Sequence, residues 1–388
     1  MKIQIDGTNT VNKGAELMLY SVLEQIEEKY PNSEIFFNDN NYRTSKSSDV
    51  KTKLKFKKRF WLRAGDFLSP IKAEGILRRL GLPYRFLSGN YAPSDIDVVF
   101  DASGFQFTDS FRINEKVLSF KVNYYKSLKK NHIKLIFLPQ AFGPFEKPIG
   151  KKTVKILNEF VDMIFARDEV SYQHLVKNGF NKEKLYLYPD FTALCDVSIP
   201  YNEKGKLKTV CIIPNYRMID TGNIGENVYV DFFVEMITRI QEKGFKVKLL
   251  NHESKGDYKL CLQINNLLIN PVPIHDNYDA LKVKAEISNS CLVITSRFHG
   301  VASALNSGVP CLATSWSHKY EMLFKDYNQY DNLLDHKNIE ASWVRIDDFL
   351  NIENREIIID TVLKAKDNIV KKNIDMWELI WRKIEGDI

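Results

Sequence analysis

Strand-like and helix-like segments alternate through most of this sequence, the pattern of parallel sheets covered by helices. Ile3–Ile5 reads as a first strand, followed by the loop Gly7–Gly14. A helical repeat then places Ala15, Met18, Leu19, Val22, Leu23 and Ile26 on one face. Further strands are predicted at Glu34–Phe37, Asp97–Phe100, Ile133–Leu138 and Met163–Ala166, so the first part of the chain reads as a doubly wound sheet. The periodicity lapses in the polar, Pro/Gly-containing stretch Ser198–Lys206, and a new strand–helix series starts at Thr209–Ile213. Strands at Lys246–Leu250, Pro271–Ile274, Cys291–Thr295 and Pro310–Ala313 alternate there with helices near Asp231–Lys243, Asp257–Leu267, Tyr278–Ser288 and Val301–Asn306. The expected architecture is α/β, with Rossmann-type domains over residues 1–200 and 201–335 and a helical segment, 336–388, whose apolar face packs back on the first domain.

A chain of 388 residues is long enough for two such cores. With 44% hydrophobic and 27% charged residues it is neither disordered nor membrane-embedded. No run of 18 apolar residues occurs, and Met1–Asp6 lacks the apolar stretch of a signal peptide, so a cytoplasmic protein is expected. Five dispersed cysteines, never in C-x-x-C spacing, suggest neither a disulfide framework nor a metal site. The net charge of +6 is unevenly spread. Lys51–Arg85 carries eleven basic residues against two acidic ones, a local +9 that leaves −3 for the rest of the chain. These cations alternate with Phe56, Phe60, Trp61, Phe67 and Leu68. Segment 51–86 therefore reads as a peripheral contact with anionic lipid head groups or a lipid-diphosphate sugar, the alternative being a solvated insertion. No nucleic-acid-binding module accompanies it, and no nucleic-acid partner is expected.

Ligands of open α/β sheets sit at the carboxyl ends of strands, where helix N-termini expose backbone amides. Four such places carry polar chemistry. The loop Gly7–Gly14 holds Asn9, Asn12 and Lys13 and leads into Glu16, a setting for an anion or a sugar hydroxyl. Arg167 ends the strand Met163–Ala166, where its planar fork suits a carboxylate or phosphate. Ser296, Arg297, Phe298, His299 and Gly300 form one strand-to-helix turn, which combines a cation, a titratable imidazole and backbone amides. The segment Thr314–Glu321 follows the next strand, with His318, Lys319 and Glu321 as secondary ligand candidates.

In these segments the sequence resembles the polysaccharide pyruvyl transferase family. The resemblance runs from Ile5-Asp-Gly-Thr-Asn-Thr-Val-Asn-Lys-Gly-Ala-Glu-Leu17 through Leu138-Pro-Gln-Ala-Phe-Gly-Pro144, Ala166-Arg-Asp-Glu-Val-Ser171 and Tyr188-Pro-Asp190. It ends in Ser296-Arg-Phe-His-Gly-Val-Ala302 and Ser307-Gly-Val-Pro310. One departure is that Asn12-Lys13-Gly14 is followed by Ala-Glu, where the family often has Asp or Asn after the glycine. The resemblance implies a glycosyltransferase-B-like fold of two facing Rossmann-type domains. It also implies phosphoenolpyruvate as donor substrate, a sugar acceptor, free or as a lipid-linked oligosaccharide, and no metal or other cofactor. Carried over residue by residue, it makes Arg167, Arg297 and His299 the catalytic set. Asp190, at a strand end, is a reserve base or a partner that orients His299, the alternative being a structural capping role. The product would be a cyclic pyruvate ketal. Two rival readings are a nucleotide-sugar glycosyltransferase of the same fold and a non-enzymatic subunit of a polysaccharide assembly complex.

Overall fold

The computed structural model describes residues 1–37, 96–109, 114–195, 197, 208–222, 224–253, 255–315 and 319–386. The basic segment 51–86, the stretch 198–206 and His318 lie outside the described residues. The chain divides into two compact units. The first comprises Met1–Thr10, Val22–Tyr188 and Leu379–Ile388; the second comprises Val11–Ser21 and Pro189–Glu378.

In the first unit, strands β1 (Lys2–Asp6), β2 (Glu34–Phe37), β3 (Val98–Asp101), β5 (Lys134–Gln140), β7 (Met163–Ala166) and β8 (Leu185–Leu187) form a parallel sheet in the order β2-β1-β3-β5-β7-β8. The short strands β4 (Phe107–Thr108) and β6 (Phe142–Gly143) pair separately. Helices cover the sheet, so its strands are apolar on both sides, and Ile3, Ile5, Val98, Val99, Phe137 and Ile164 are buried. The chain order reverses between β1 and β3, whose last residues Asp6 and Asp101 are register partners. The unit is completed from the far end of the sequence. Trp381, in the last turns of the helix Ile352–Glu385, packs edge-on against Tyr30 at 5.4 Å and Phe100 at 5.8 Å. Lys134 Nζ donates to the carbonyls of Lys383 and Ile384 at 2.7 and 2.8 Å, which meets the orphan acceptors of that helix end. Of the expected helical segment 336–388, only the end from Leu379 onward belongs to the first unit; the residues before it belong to the second.

In the second unit, β9 (Thr209–Ile213), β10 (Lys246–Leu250), β11 (Ile274–His275), β12 (Leu292–Thr295) and β13 (Cys311–Ala313) form a parallel sheet in the order β11-β10-β9-β12-β13. One core lies under the helix Glu226–Glu242, where Tyr229, Phe232, Phe233, Met236 and Ile240 meet Val210, Ile212 and Leu249. A second gathers Val301, Leu305, Tyr320 and Phe324 with Val362, Ala365 and Ile369 of the long C-terminal helix. Here the order reverses between β9 and β12, the topological switch point at which doubly wound sheets open a crevice. Both units are Rossmann-type.

Candidate active site

The turn after β12 stands at that switch point and is fixed from below. Ser296 is fully buried. Its hydroxyl lies 2.5 Å from both Tyr229 Oη and Thr314 Oγ1. Its carbonyl accepts from Asn215 Nδ2 at 2.7 Å and from the Tyr320 hydroxyl at 2.8 Å. These bonds fill Ser296, which was expected to touch substrate, with framework contacts; it holds the strand end that carries its neighbours. Gly300, in the first turn of the helix Phe298–Asn306, packs so close to β12 that a Cβ there would lie 2.6 Å from Thr295 Oγ1. Phe298 is buried, its ring edge-on to His299 at 5.3 Å and to Tyr320 at 6.0 Å. Lys319 Nζ lies 5.5 Å from the centre of the same ring.

Arg297 points its guanidinium between two carboxylates, with ion pairs from Nη1 to Glu253 and from Nη2 to Asp257. Burial lowers its pKa to about 10, which leaves it a cation at neutral pH. Its Nε–H is buried and has no hydrogen-bond acceptor among the described residues. Asp257 is fully buried and also accepts the backbone N–H of Tyr216 at 2.9 Å. Glu253 keeps a quarter of its side-chain surface exposed.

The loop after β1 meets this turn, because residues 11–21 belong to the second unit. Asn12 caps the helix Lys13–Lys29; its Oδ1 accepts the N–H of Gly14 at 2.9 Å and of Ala15 at 3.1 Å. Its Nδ2 donates to Glu253 Oε1 at 2.5 Å. Gly14 faces the imidazole of His299, and a Cβ on it would fall 2.1 Å from Nδ1. Glu16 is fully buried, bound by Lys13 Nζ at 2.7 Å and by the Ala280 N–H at 3.2 Å. It thus sits at the positive end of the helix Ala280–Ser288.

His252, just past β10, went unnoticed in the sequence. It is buried, and its Nδ1 has no hydrogen-bond partner among the described residues. Burial pushes its pKa well below the usual histidine value, with further lowering by Arg297, His299 and Lys13, so it is neutral at pH 7. Glu253 and Asp257 were missed with it. All three follow a strand's carboxyl end, the criterion that found Arg297 and His299.

The remaining candidates are carried by other elements. Asp190 caps the short turn Phe191–Ala193 through Thr192, to which it is bonded at 3.0 Å from the N–H and 2.5 Å from the hydroxyl. Thr192 in turn meets Asn306 Nδ2 at 3.3 Å. Asn306 ends the helix that His299 begins, about 10 Å along at 1.5 Å per residue. Through Thr192, Asp190 therefore supports the Asn306 end of that helix. Arg167 and Asn9 belong to the first unit. Arg167 is buried at the end of β7, with its N–H on the Gln140 carbonyl at 3.0 Å. Also in that unit, Asp6 accepts from Tyr124 Oη at 2.6 Å and Gln4 Nε2 at 2.8 Å, and burial, with Asp101 alongside, raises its pKa. A cavity of about 680 Å³ in the second unit, lined by Phe245, Lys246 and Pro271, opens at the amino ends of β9 and β10, the wrong edge for this chemistry. No helix among the described residues is long and apolar enough to cross a membrane.

A family model described as polysaccharide pyruvyl transferase matches residues 12–318. No curated protein matches the chain in sequence. Among solved structures, Anabaena HepE in complex with UDP and glucose is similar with a TM-score of 0.61, at 13% identity over 98% of each chain. S. aureus MnaA, solved with UDP, gives 0.58 at 12% identity, covering 95% of this chain and 94% of that one. The Neisseria meningitidis UDP-GlcNAc 2-epimerase bound to UDP-GlcNAc gives 0.51 at 13% identity, covering 96% and 100%. Such identities establish likeness of fold alone, a glycosyltransferase-B-type α/β architecture.

Proposed function

The chain belongs to the polysaccharide pyruvyl transferase family, and on that premise we propose that it moves pyruvate from phosphoenolpyruvate to a sugar of a polysaccharide or of its lipid-linked precursor, closing a cyclic ketal and releasing phosphate. The observation that carries this reading is the turn Ser296–Gly300 at the switch point of the second sheet, where Arg297 and His299 meet the Asn12–Gly14 loop. Phosphoenolpyruvate presents a carboxylate and a phosphate. A guanidinium fork and the amides of a helix start are complementary to both.

In the proposed reaction His299 protonates the methylene carbon, which generates an oxocarbenium-like centre at C2. A sugar hydroxyl adds to C2 and returns its proton to His299. A second hydroxyl then displaces phosphate: the C2–O bond to phosphate breaks, the second C2–O bond to sugar forms, and the hydroxyl proton leaves with the phosphate. General acid–base assistance of this kind contributes ~10²–10⁴ in rate. Arg167 is proposed as a further substrate-binding cation because its Ala166-Arg-Asp segment matches the family's, and segment 51–86 as the contact with a lipid-linked acceptor or its membrane.

Incubation of candidate free and lipid-linked glycans with phosphoenolpyruvate, followed by mass spectrometry, tests the reading. A glycan that gains one pyruvate ketal with release of phosphate is the expected result. A glycan that instead gains a hexose from a nucleotide sugar would support the rival glycosyltransferase reading, which draws on the fold shared with HepE and MnaA. Thermal stabilisation by nucleoside diphosphates but not by phosphoenolpyruvate would point the same way.

A further inference from the structure

We infer that Glu253 is a displaceable internal anion, which occupies the seat of the donor's carboxylate or phosphate and must swing out before the donor binds. The inference rests on the reading above, that this turn binds an anionic donor. Two carboxylates compete for one guanidinium, and their surroundings differ. Asp257 has no exposed side-chain surface, and its second oxygen is held by the Tyr216 N–H, so it is a permanent partner of Arg297. Glu253 is a quarter exposed, so it already borders solvent. One of its oxygens takes Asn12 Nδ2 and the other takes Arg297 Nη1. A carboxylate that spans a helix-cap amide and a guanidinium has the geometry a bound substrate anion would adopt.

The charges agree. With Glu253 seated, Arg297 and its two carboxylates sum to −1, which repels an incoming anion. With Glu253 turned to solvent the set is neutral, and the buried Arg297 Nε–H and His252 Nδ1 are left with hydrogen-bonding capacity to offer. Glu253 would thereby select for donors, since only a ligand with more negative charge or more acceptor oxygens than one carboxylate displaces it efficiently.

The test is Glu253→Gln in the full-length protein, with inorganic phosphate and phosphoenolpyruvate each titrated by calorimetry and thermal melting used to confirm folding. Glutamine keeps the shape and the Asn12 contact but not the charge. Affinity for both ligands should rise about tenfold, the weight of one charge-assisted hydrogen bond that no longer competes. Asp257→Asn, which removes the permanent partner, should not reproduce that gain. Unchanged or weaker binding to Glu253→Gln overturns the inference. Tighter phosphate binding without pyruvyl transfer by the wild type would sustain it while removing the proposed reaction. Absence of binding by wild type and variant alike would remove both.

Discussion

Gly14 lies so close against the imidazole of His299 that a single added methyl group would fall 2.1 Å from Nδ1 and 2.5 Å from Cγ. Its hydrogen atom is therefore part of the site's geometry. Gly14→Ala should fold, because alanine suits a helix's first turn, yet it must push the imidazole aside. Displacement of about 1 Å costs on the order of 10²-fold in turnover. A normally melting Gly14→Ala protein with wild-type kcat would show that His299 does not need its present position.

Removal of the imidazole itself asks a different question. His299→Ala should lower turnover by ~10²–10⁴ with little change in donor affinity, since the proposed loss is of proton transfer rather than of an anion contact. Single-turnover kinetics with phosphoenolpyruvate measure the two separately, and a loss confined to affinity would make His299 a binding residue only.

His252 gives the stability a pH dependence whose sign is fixed. Its folded-state pKa lies well below the unfolded value of about 6.5. Below that value the unfolded chain takes up a proton that the folded one refuses, so this contribution is fully present above about pH 6.5 and is lost as the solution becomes more acidic. The melting temperature should fall between pH 7 and 5, and His252→Gln should flatten that fall. Parallel profiles for the two proteins would contradict the assignment.

Most of the sheet framework was legible in the sequence, and the exceptions have physical causes. Met163–Ala166 is a continuous apolar run, Thr209–Ile213 and Lys246–Leu250 are β-branched and aliphatic runs entered from a polar residue, and the strands match them. The expected strand Pro271–Ile274 forms instead at Ile274–His275, because Pro271 and Pro273 lack the N–H that a ladder needs. The helix Glu115–Lys130 escaped notice because Leu118, Tyr125 and Leu128 are its buried residues, too few for a clear apolar stripe. Within the site, Arg297, His299, Asn12 and Gly14 were found because motif and position coincide. Glu253 and Asp257 look like surface acids until folding brings a guanidinium between them.

Trp381 anchors the chain's last helical turns against Tyr30 and Phe100. Trp381→Ala should destabilise the first unit by ~3–5 kcal/mol, the usual range for a buried aromatic truncated to alanine. Chemical denaturation followed by tyrosine fluorescence would measure it; a change below about 1 kcal/mol would mean that the helix end contributes little.

The division of the chain bears on the order in which the protein is made. The ribosome delivers residues 11–21 of the second unit ahead of nearly all of the first, and the first unit receives its closing turns, from Leu379 onward, only after the second has been synthesised. Neither unit corresponds to one uninterrupted stretch of gene. Cutting the chain at 198–206 would thus yield two fragments that each lack a piece carried by the other. The Asn12–Gly14 loop would part from Arg297 and His299, so the halves could be exchanged between relatives only as a matched pair.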